Sequence, residues 1–313
     1  MHDILSWLDS QQSLMVDLAQ RWSEINTHST NLTGLKIFSK ELTHDFRVFG
    51  EPVELIPLPN YPVINSSGEQ EERATVPALA VTKRPAAPWQ LLCVGHMDTV
   101  FPIDSSFQEC TVIDDQTIQG PGITDMKGGL VVLFYALQAL ERCEWKDKVG
   151  WKVVINPDEE IGSPASSPLL RDMAGGRDLG LVFEPSLPNG DLVGDRKGSG
   201  NFTLVARGKA AHAGRNPQEG RSAIDAVAAW ITQVKAFFGD HHELTINMGT
   251  ISGGSAFNVI ADLALVRFNV RCRDSQVRTY FEEQIPLINH RISAEHRVAL
   301  KMHGTFQAPP KPL

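Results

Sequence analysis

A chain of 313 residues, 42% hydrophobic and 21% charged, has the length for two domains with a buried core in each and is neither a disordered tail nor a disulfide miniprotein. Its 37 acidic residues against 29 basic ones leave a formal net charge of −8, which argues against nucleic acid or an anionic membrane as the main partner. Cys93, Cys110, Cys143 and Cys272 form no C-x-x-C pair, so reduced structural thiols are expected; with no basic-then-apolar leader and no apolar run of spanning length, the expected location is the cytoplasm.

In chain order, Ile4, Leu8, Met15, Leu18, Trp22 and Ile25 recur mostly at spacings of three, four or seven, which predicts a helical first segment with one packing face. Short apolar runs broken by Pro, Gly and Asn then read as strands over 53–56, 78–82 and 90–94. Helix 129–142, strand 152–155, a helix around 166–173 and strand 179–183 follow in alternation. That rhythm predicts an α/β fold with a mostly parallel sheet and flanking helices. A second block begins near Gly194, with strand 201–207, helix 222–238, strands 244–251 and 261–272, helix 276–292 and strand 297–303. Its β-α-β-β-α-β order predicts a ferredoxin-like α+β domain.

Four polar clusters stand at or just past the ends of apolar runs in the first block, where a parallel α/β sheet binds ligands. Strand 90–94 leads into Gly95-His96-Met97-Asp98, with Asp98 on the same side of an extended chain as His96 and able to fix its tautomer. Alone, such a pair reads as a capped surface histidine. Gly120-Pro121-Gly122-Ile123-Thr124-Asp125-Met126-Lys127-Gly128-Gly129 matches neither G-x-G-x-x-G nor the P-loop, and its Asp125 is either a helix N-cap or a cation ligand with both oxygens free. Asp158-Glu159-Glu160 packs three carboxylates into one turn, which in isolation is a solvated acidic loop. Strand 179–183 runs into Glu184-Pro185 at the same edge. Carboxylates converging in one crevice repel one another unless a cation intervenes. With neutral His96, the residues Asp125, Glu160 and Glu184 carry three negative charges, so two divalent ions and a hydroxide bring the site near neutral. The mixed imidazole and carboxylate set suits zinc, with cobalt or manganese as alternatives.

These motifs, in this order, resemble the zinc-dependent carboxypeptidase, deacylase and dipeptidase superfamily that contains bacterial glutamate carboxypeptidase and acetylornithine deacetylase. The resemblance implies that His96 and Glu184 are ligands of one zinc, Glu160 of the second, and Asp125 of both across a cis Asp125–Met126 peptide. It makes Glu159 the general base and Asp98 the partner of His96. In the second block, Gly208-Lys209-Ala210-Ala211-His212-Ala213-Gly214 resembles the segment whose histidine stabilises the tetrahedral intermediate in the partner subunit's site. Asn258 and Arg271 match substrate-carboxylate contacts. Without the resemblance, His212 is a surface residue and Arg271 pairs with an acid on its sheet.

The implied organisation is a zinc catalytic domain over 1–194, a ferredoxin-like lid and dimerisation domain over 195–306, and the start of a return to the catalytic domain over 307–313. The implied function is amide hydrolysis beside a free carboxylate, by zinc-hydroxide attack with Glu159 as proton shuttle, in a homodimer acting on a small peptide. A deacylase of N-acyl amino acids is the alternative, and an inactive fragment or dimeric binding scaffold a third. The family's last zinc-binding histidine lies in the return segment, so weak binding of the second metal and little activity are expected of these 313 residues.

Overall fold

The computed structural model describes residues 2–239 and 241–311. The chain divides into two compact units, Met1–Tyr61 with Ala74–Gly190, and Pro62–Arg73 with Asp191–Leu313.

In the first unit the N-terminal helical segment is two helices, α1 (His2–Ser10) and α2 (Gln12–Ser23). A third, α3 (Leu32–Phe46), starts at Asn31, whose Oδ1 accepts the Gly34 N–H at 3.1 Å. Its Leu35, Phe38, Leu42 and Phe46 recur at helical spacing and are fully buried, so α3, absent from the expected elements, is amphipathic in its own right. The chain continues through β1 (Val53–Ile56), leaves this unit for a hairpin of β2 (Tyr61–Ile64) and β3 (Gln70–Arg73) that belongs to the second, and returns with β4 (Ala78–Lys83), β5 (Trp89–His96) and a small ribbon of β6 (Thr111–Asp114) and β7 (Thr117–Gln119). Then come α4 (Gly128–Leu140), β8 (Val149–Asn156), α5 (Ser167–Ala174) and β9 (Leu179–Val182). Aromatic rings join helices to sheet: Trp22 meets Phe38 edge-on at 5.7 Å and Phe134 of α4 at 6.3 Å, and Phe49 meets Trp151 of β8 at 5.1 Å.

The main sheet has the order β1-β4-β8-β5-β9 and is mixed, which corrects the expectation of a mostly parallel one. β5 runs parallel to β8 and β9, while β4 is antiparallel to both β8 and β1. The reason lies in the connections. Helices α4 and α5 carry the chain back across the sheet and preserve strand direction, whereas only residues 84–88 join β4 to β5, too few for a crossover, so the direction reverses. The parallel part, β8-β5-β9, holds the carboxyl ends that carry the polar clusters.

The second unit contains β10 (Gly198–Arg207), α6 (Ala223–Phe238), β11 (Leu244–Gly253), β12 (Leu263–Cys272), α7 (Ser275–His296) and β13 (Ala299–Ala308). Its sheet has the order β11-β12-β10-β13, every pair antiparallel. Alternate residues of β12, from Ala264 to Cys272, are buried on one face with Trp230 of α6 and Phe281 of α7. On the other face the β2–β3 hairpin is held through two backbone carbonyls: Arg207 Nη2 donates to Ser67 O at 2.8 Å and Arg267 Nη2 to Ile64 O at 2.9 Å. Helix α7 runs past the expected end at residue 292 and closes on Arg297 in the left-handed region (φ 54°), so the last strand begins at Ala299 and not at 297. Within the expected 307–313 segment, β13 reaches Ala308 and Lys311 bridges to Arg196; Pro312 and Leu313 lie outside the described residues.

Candidate functional site

His96 is the last residue of β5, and residues 158–160 and Glu184 follow the ends of β8 and β9, so three parallel strands deliver these groups to one sheet edge. Asp125 comes from the turn before α4. Nε2 of His96 lies 3.0 Å from Asp125 Oδ1 and 3.5 Å from Glu184 Oε1. One potential ligand atom each of His96, Asp125 and Glu160 fall within 4.8 Å of one another, and the same holds for His96, Glu159 and Glu184. The four expected ligands and the expected base are thus brought together.

The histidine is held from behind. Its backbone N–H donates to Met126 Sδ at 3.1 Å, and its Nδ1 lies 2.9 Å from the Asp98 carbonyl oxygen and 3.4 Å from the Asp98 carboxylate. A carbonyl oxygen only accepts, so Nδ1 carries a proton and Nε2 faces the carboxylates with its lone pair when the ring is neutral. The Asp98 carboxylate also accepts from the Ser29 hydroxyl at 2.7 Å and from the backbone N–H groups of Glu159 at 3.0 Å and Glu160 at 3.1 Å. One buried side chain therefore anchors both His96 and the acidic turn.

The three consecutive acids have three different environments. Asp158 is fully buried and accepts from the Ala165 N–H at 2.7 Å, the Ser166 N–H at 3.1 Å and the Ser166 hydroxyl, closing the turn. Glu159 is exposed and Glu160 half-buried. The Asp125–Met126 peptide is cis. Gly129 opens α4 against the end of β9, where any Cβ would overlap the Phe183 carbonyl oxygen, and this close approach seats Glu184 beside His96.

Burial disfavours the charged imidazolium of His96, but hydrogen bonds to Asp125 and Asp98 outweigh it and lift the pKa to about 11. The hydrogen bond from His96 holds Asp125 below the usual carboxylate range. Burial, reinforced by the Asp125 charge, pushes both Glu160 and Glu184 up to about 7. A cluster that must take up protons to relieve its own repulsion is one that a divalent cation fits, and the imidazole-plus-carboxylate donor set suits such an ion.

Among the groups that sequence reasoning missed, Lys127 is fully buried. Its Nζ donates to the carbonyls of Trp22 at 3.0 Å and Ile25 at 2.6 Å, just at the end of α2, and sits 4.9 Å from the Phe38 ring. Burial pulls its pKa down to about 7. The unfolded value is about 10.4, so through the window between them the unfolded chain binds the extra proton and stability rises with pH. Lys127→Met is expected to remove a rise of up to about 1.4 kcal/mol per pH unit between about pH 7 and 10. Denaturant unfolding across that range checks it, and identical pH slopes for the two proteins would contradict it. Met126 and Lys127 stand inside the glycine-rich motif, whereas Ser29 reaches Asp98 across 69 residues with no local signal.

In the second unit, residues 211–213 and 258–260 run side by side, with Ala213 N–H donating to Asn258 O and Ile260 N–H to Ala211 O, each at 2.9 Å. Nδ1 of the exposed His212 accepts from the backbone N–H groups of Gly214 at 3.1 Å and Arg215 at 3.2 Å, which puts the proton of the neutral ring on Nε2. His212 and Asn258 are thus neighbours. Arg271 is not with them: the 208–213 and 254–260 segments join the chain at the start of β12, where Gly208 N–H donates to Asp262 O and Gly254 N–H to Leu263 O, whereas Arg271 lies seven residues beyond Ala264, or roughly 23 Å at the ordinary strand rise.

The family model for peptidase family M20/M25/M40 matches residues 92–295. Carboxypeptidase G2 of Pseudomonas sp. (strain RS-16) is 30% identical over 187 residues, covering 58% of this chain and 44% of that protein. Succinyl-diaminopimelate desuccinylase of Afipia carboxidovorans is 30% identical over 223 residues, covering 64% of this chain and 58% of that one. The chain spans about half the length of these curated relatives. Among solved structures, the dipeptidase Dug1p of Saccharomyces cerevisiae shares the fold with a TM-score of 0.70 at 14% identity, covering 99% of this chain and 80% of that chain.

Proposed function

The chain belongs to peptidase family M20/M25/M40, and on that premise we propose that it is a two-zinc hydrolase cleaving an amide bond next to a free carboxylate, in the manner of a glutamate carboxypeptidase. The observation that carries this reading is the convergence of His96, Asp125, Glu159, Glu160 and Glu184 at one sheet edge.

His96 and Glu184 would hold one metal, Glu160 the other, and Asp125 both; cobalt is an alternative to zinc. Bound there, the metal pair supplies Lewis acidity for the amide carbonyl and for the attacking water. Glu159, exposed at the rim of the ligand cluster, takes the proton from that water and returns it to the leaving amine. Asp98 keeps His96 and the Glu159–Glu160 turn in register. His212, with Nε2–H as its donor, stabilises the developing oxyanion, and Asn258 and Arg271 bind the substrate carboxylate. Because His212 and Asn258 sit at the opposite end of β12 from Arg271, one small substrate meets all three only if a second copy of the chain contributes one end. The second unit is accordingly read as a ferredoxin-like lid and dimerisation domain.

A deacylase of N-acyl amino acids is the second reading, favoured by the 30% identity to the desuccinylase. Both readings are tested by a panel of N-acyl amino acids against their α-carboxamide counterparts with zinc or cobalt supplied. The free acids are expected to be cleaved with kcat/KM about 100-fold higher, the equivalent of about 2.7 kcal/mol. Equal cleavage of acid and carboxamide would contradict the proposal, and the acyl group preferred separates peptidase from deacylase.

A further inference from the structure

On the face of β12 turned away from α6 and α7, Asn269 and Arg271 stand two residues apart. Nδ2 of Asn269 donates to Asn201 Oδ1 at 2.8 Å, Gly200 O at 3.1 Å and Ser199 Oγ at 3.2 Å, all on β10. Three acceptors on one side settle which end of the amide is which, and leave Oδ1 to accept. What it accepts is the Arg271 Nε–H, at 2.9 Å. Asn201 is itself fastened, its backbone N–H donating to Gln307 Oε1 of β13 at 2.9 Å. The support therefore runs across three strands before it reaches the guanidinium.

This bond uses Nε and leaves the Nη1 and Nη2 fork for a second partner. None of the residues of β10, β11, β12 and β13 is acidic, so the sheet offers Arg271 no carboxylate of its own. An arginine held at Nε, with its fork unneutralised by neighbours on its sheet, is pre-organised for a planar anion from outside.

We propose that Asn269 is the positioning residue that orients Arg271 to grip the substrate's free carboxylate. The inference rests on the reading above that Arg271 binds that group. Asn269 touches no reacting atom, so its loss is expected to act on carboxylate affinity alone.

The test uses the metal-loaded full chain and a non-hydrolysable reduced-amide analogue of an N-acylglutamate, with its α-carboxamide as control, titrated by calorimetry. Wild type is expected to prefer the carboxylate by about 100-fold. Asn269→Ala is expected to cut that preference about 10-fold, with carboxamide binding unchanged, and to have no further effect on an Arg271→Ala background. Asn269→Val, which suits a strand and lacks an acceptor, serves as the second variant. In NMR spectra the Arg271 Nε–Hε resonance should be protected from exchange in wild type and unprotected in both Asn269 variants. If Arg271→Ala abolishes the preference while both Asn269 variants keep the wild-type ratio, the inference is overturned and the role of Arg271 stands. If wild type shows no preference, or Arg271→Ala retains it, the carboxylate reading fails and takes this inference with it.

Discussion

In metal-loaded protein with measurable turnover, Glu159→Gln is expected to lower that turnover by about 1,000-fold or more while leaving metal affinity within a few-fold of wild type. Glu159 and Glu160 are adjacent in sequence but differ in what surrounds them. Glu160 is half-buried, shares a ligand-sized cluster with His96 and Asp125, and has its pKa pushed up to about 7 by burial and by the Asp125 charge. Glu159 is exposed at the rim beside Glu184. Removing the Glu160 carboxylate with Glu160→Ala takes away a donor from the cluster, so that variant is expected to lose metal and activity together. A zinc titration run beside an activity assay separates the two. If both variants lost metal to the same degree, the division of labour between these residues would be wrong.

Asp98→Ala is expected to be the most destabilising single change in the first unit's site, costing about 3 to 5 kcal/mol. Its carboxylate is 1% exposed and accepts from the Ser29 hydroxyl and the Glu159 and Glu160 amides, so truncation deprives one buried and two part-buried donors of their acceptor. It also frees the acidic turn from His96, so metal affinity should fall about 10- to 100-fold beyond any loss of fold. Ser29→Ala removes one donor of the three and should cost about 1 kcal/mol, with the same ordering of effects on metal binding. Thermal or denaturant melts of the metal-free chain measure the first effect and zinc titration the second. An Asp98→Ala protein as stable as wild type would show that the buried donors find other acceptors.

The candidate site was legible because each of its parts is local. A hydrophobic run ending in His-Met-Asp, Asn-Pro-Asp-Glu-Glu or Phe-Glu-Pro tells where a strand stops and which group it delivers, and three such ends share an edge once β5, β8 and β9 are parallel. The direction of β4 does not follow from the alternation of strands and helices, because it is set by the five-residue connection to β5 that forces the reversal. Helix α3 lies outside the expected elements although its buried residues recur at helical spacing, while its partner Trp22 falls on the expected packing face of the first segment. The supports of the site were beyond local reading: Ser29 meets Asp98, Lys127 meets the end of α2, and Asn269 meets Asn201, each through a contact spanning 68 residues or more. Sequence periodicity reports which face a residue occupies, not which distant group its polar atoms reach.

The central claim, that His96, Asp125, Glu160 and Glu184 form a divalent-metal centre, is tested most directly by titrating the metal-free chain with cobalt and following its visible absorption. Saturable binding with a d–d band is predicted for wild type, greatly weakened in Asp125→Asn, since Asp125 is the carboxylate nearest to His96 Nε2. Absence of binding, or a band that Asp125→Asn leaves unchanged, would contradict the claim.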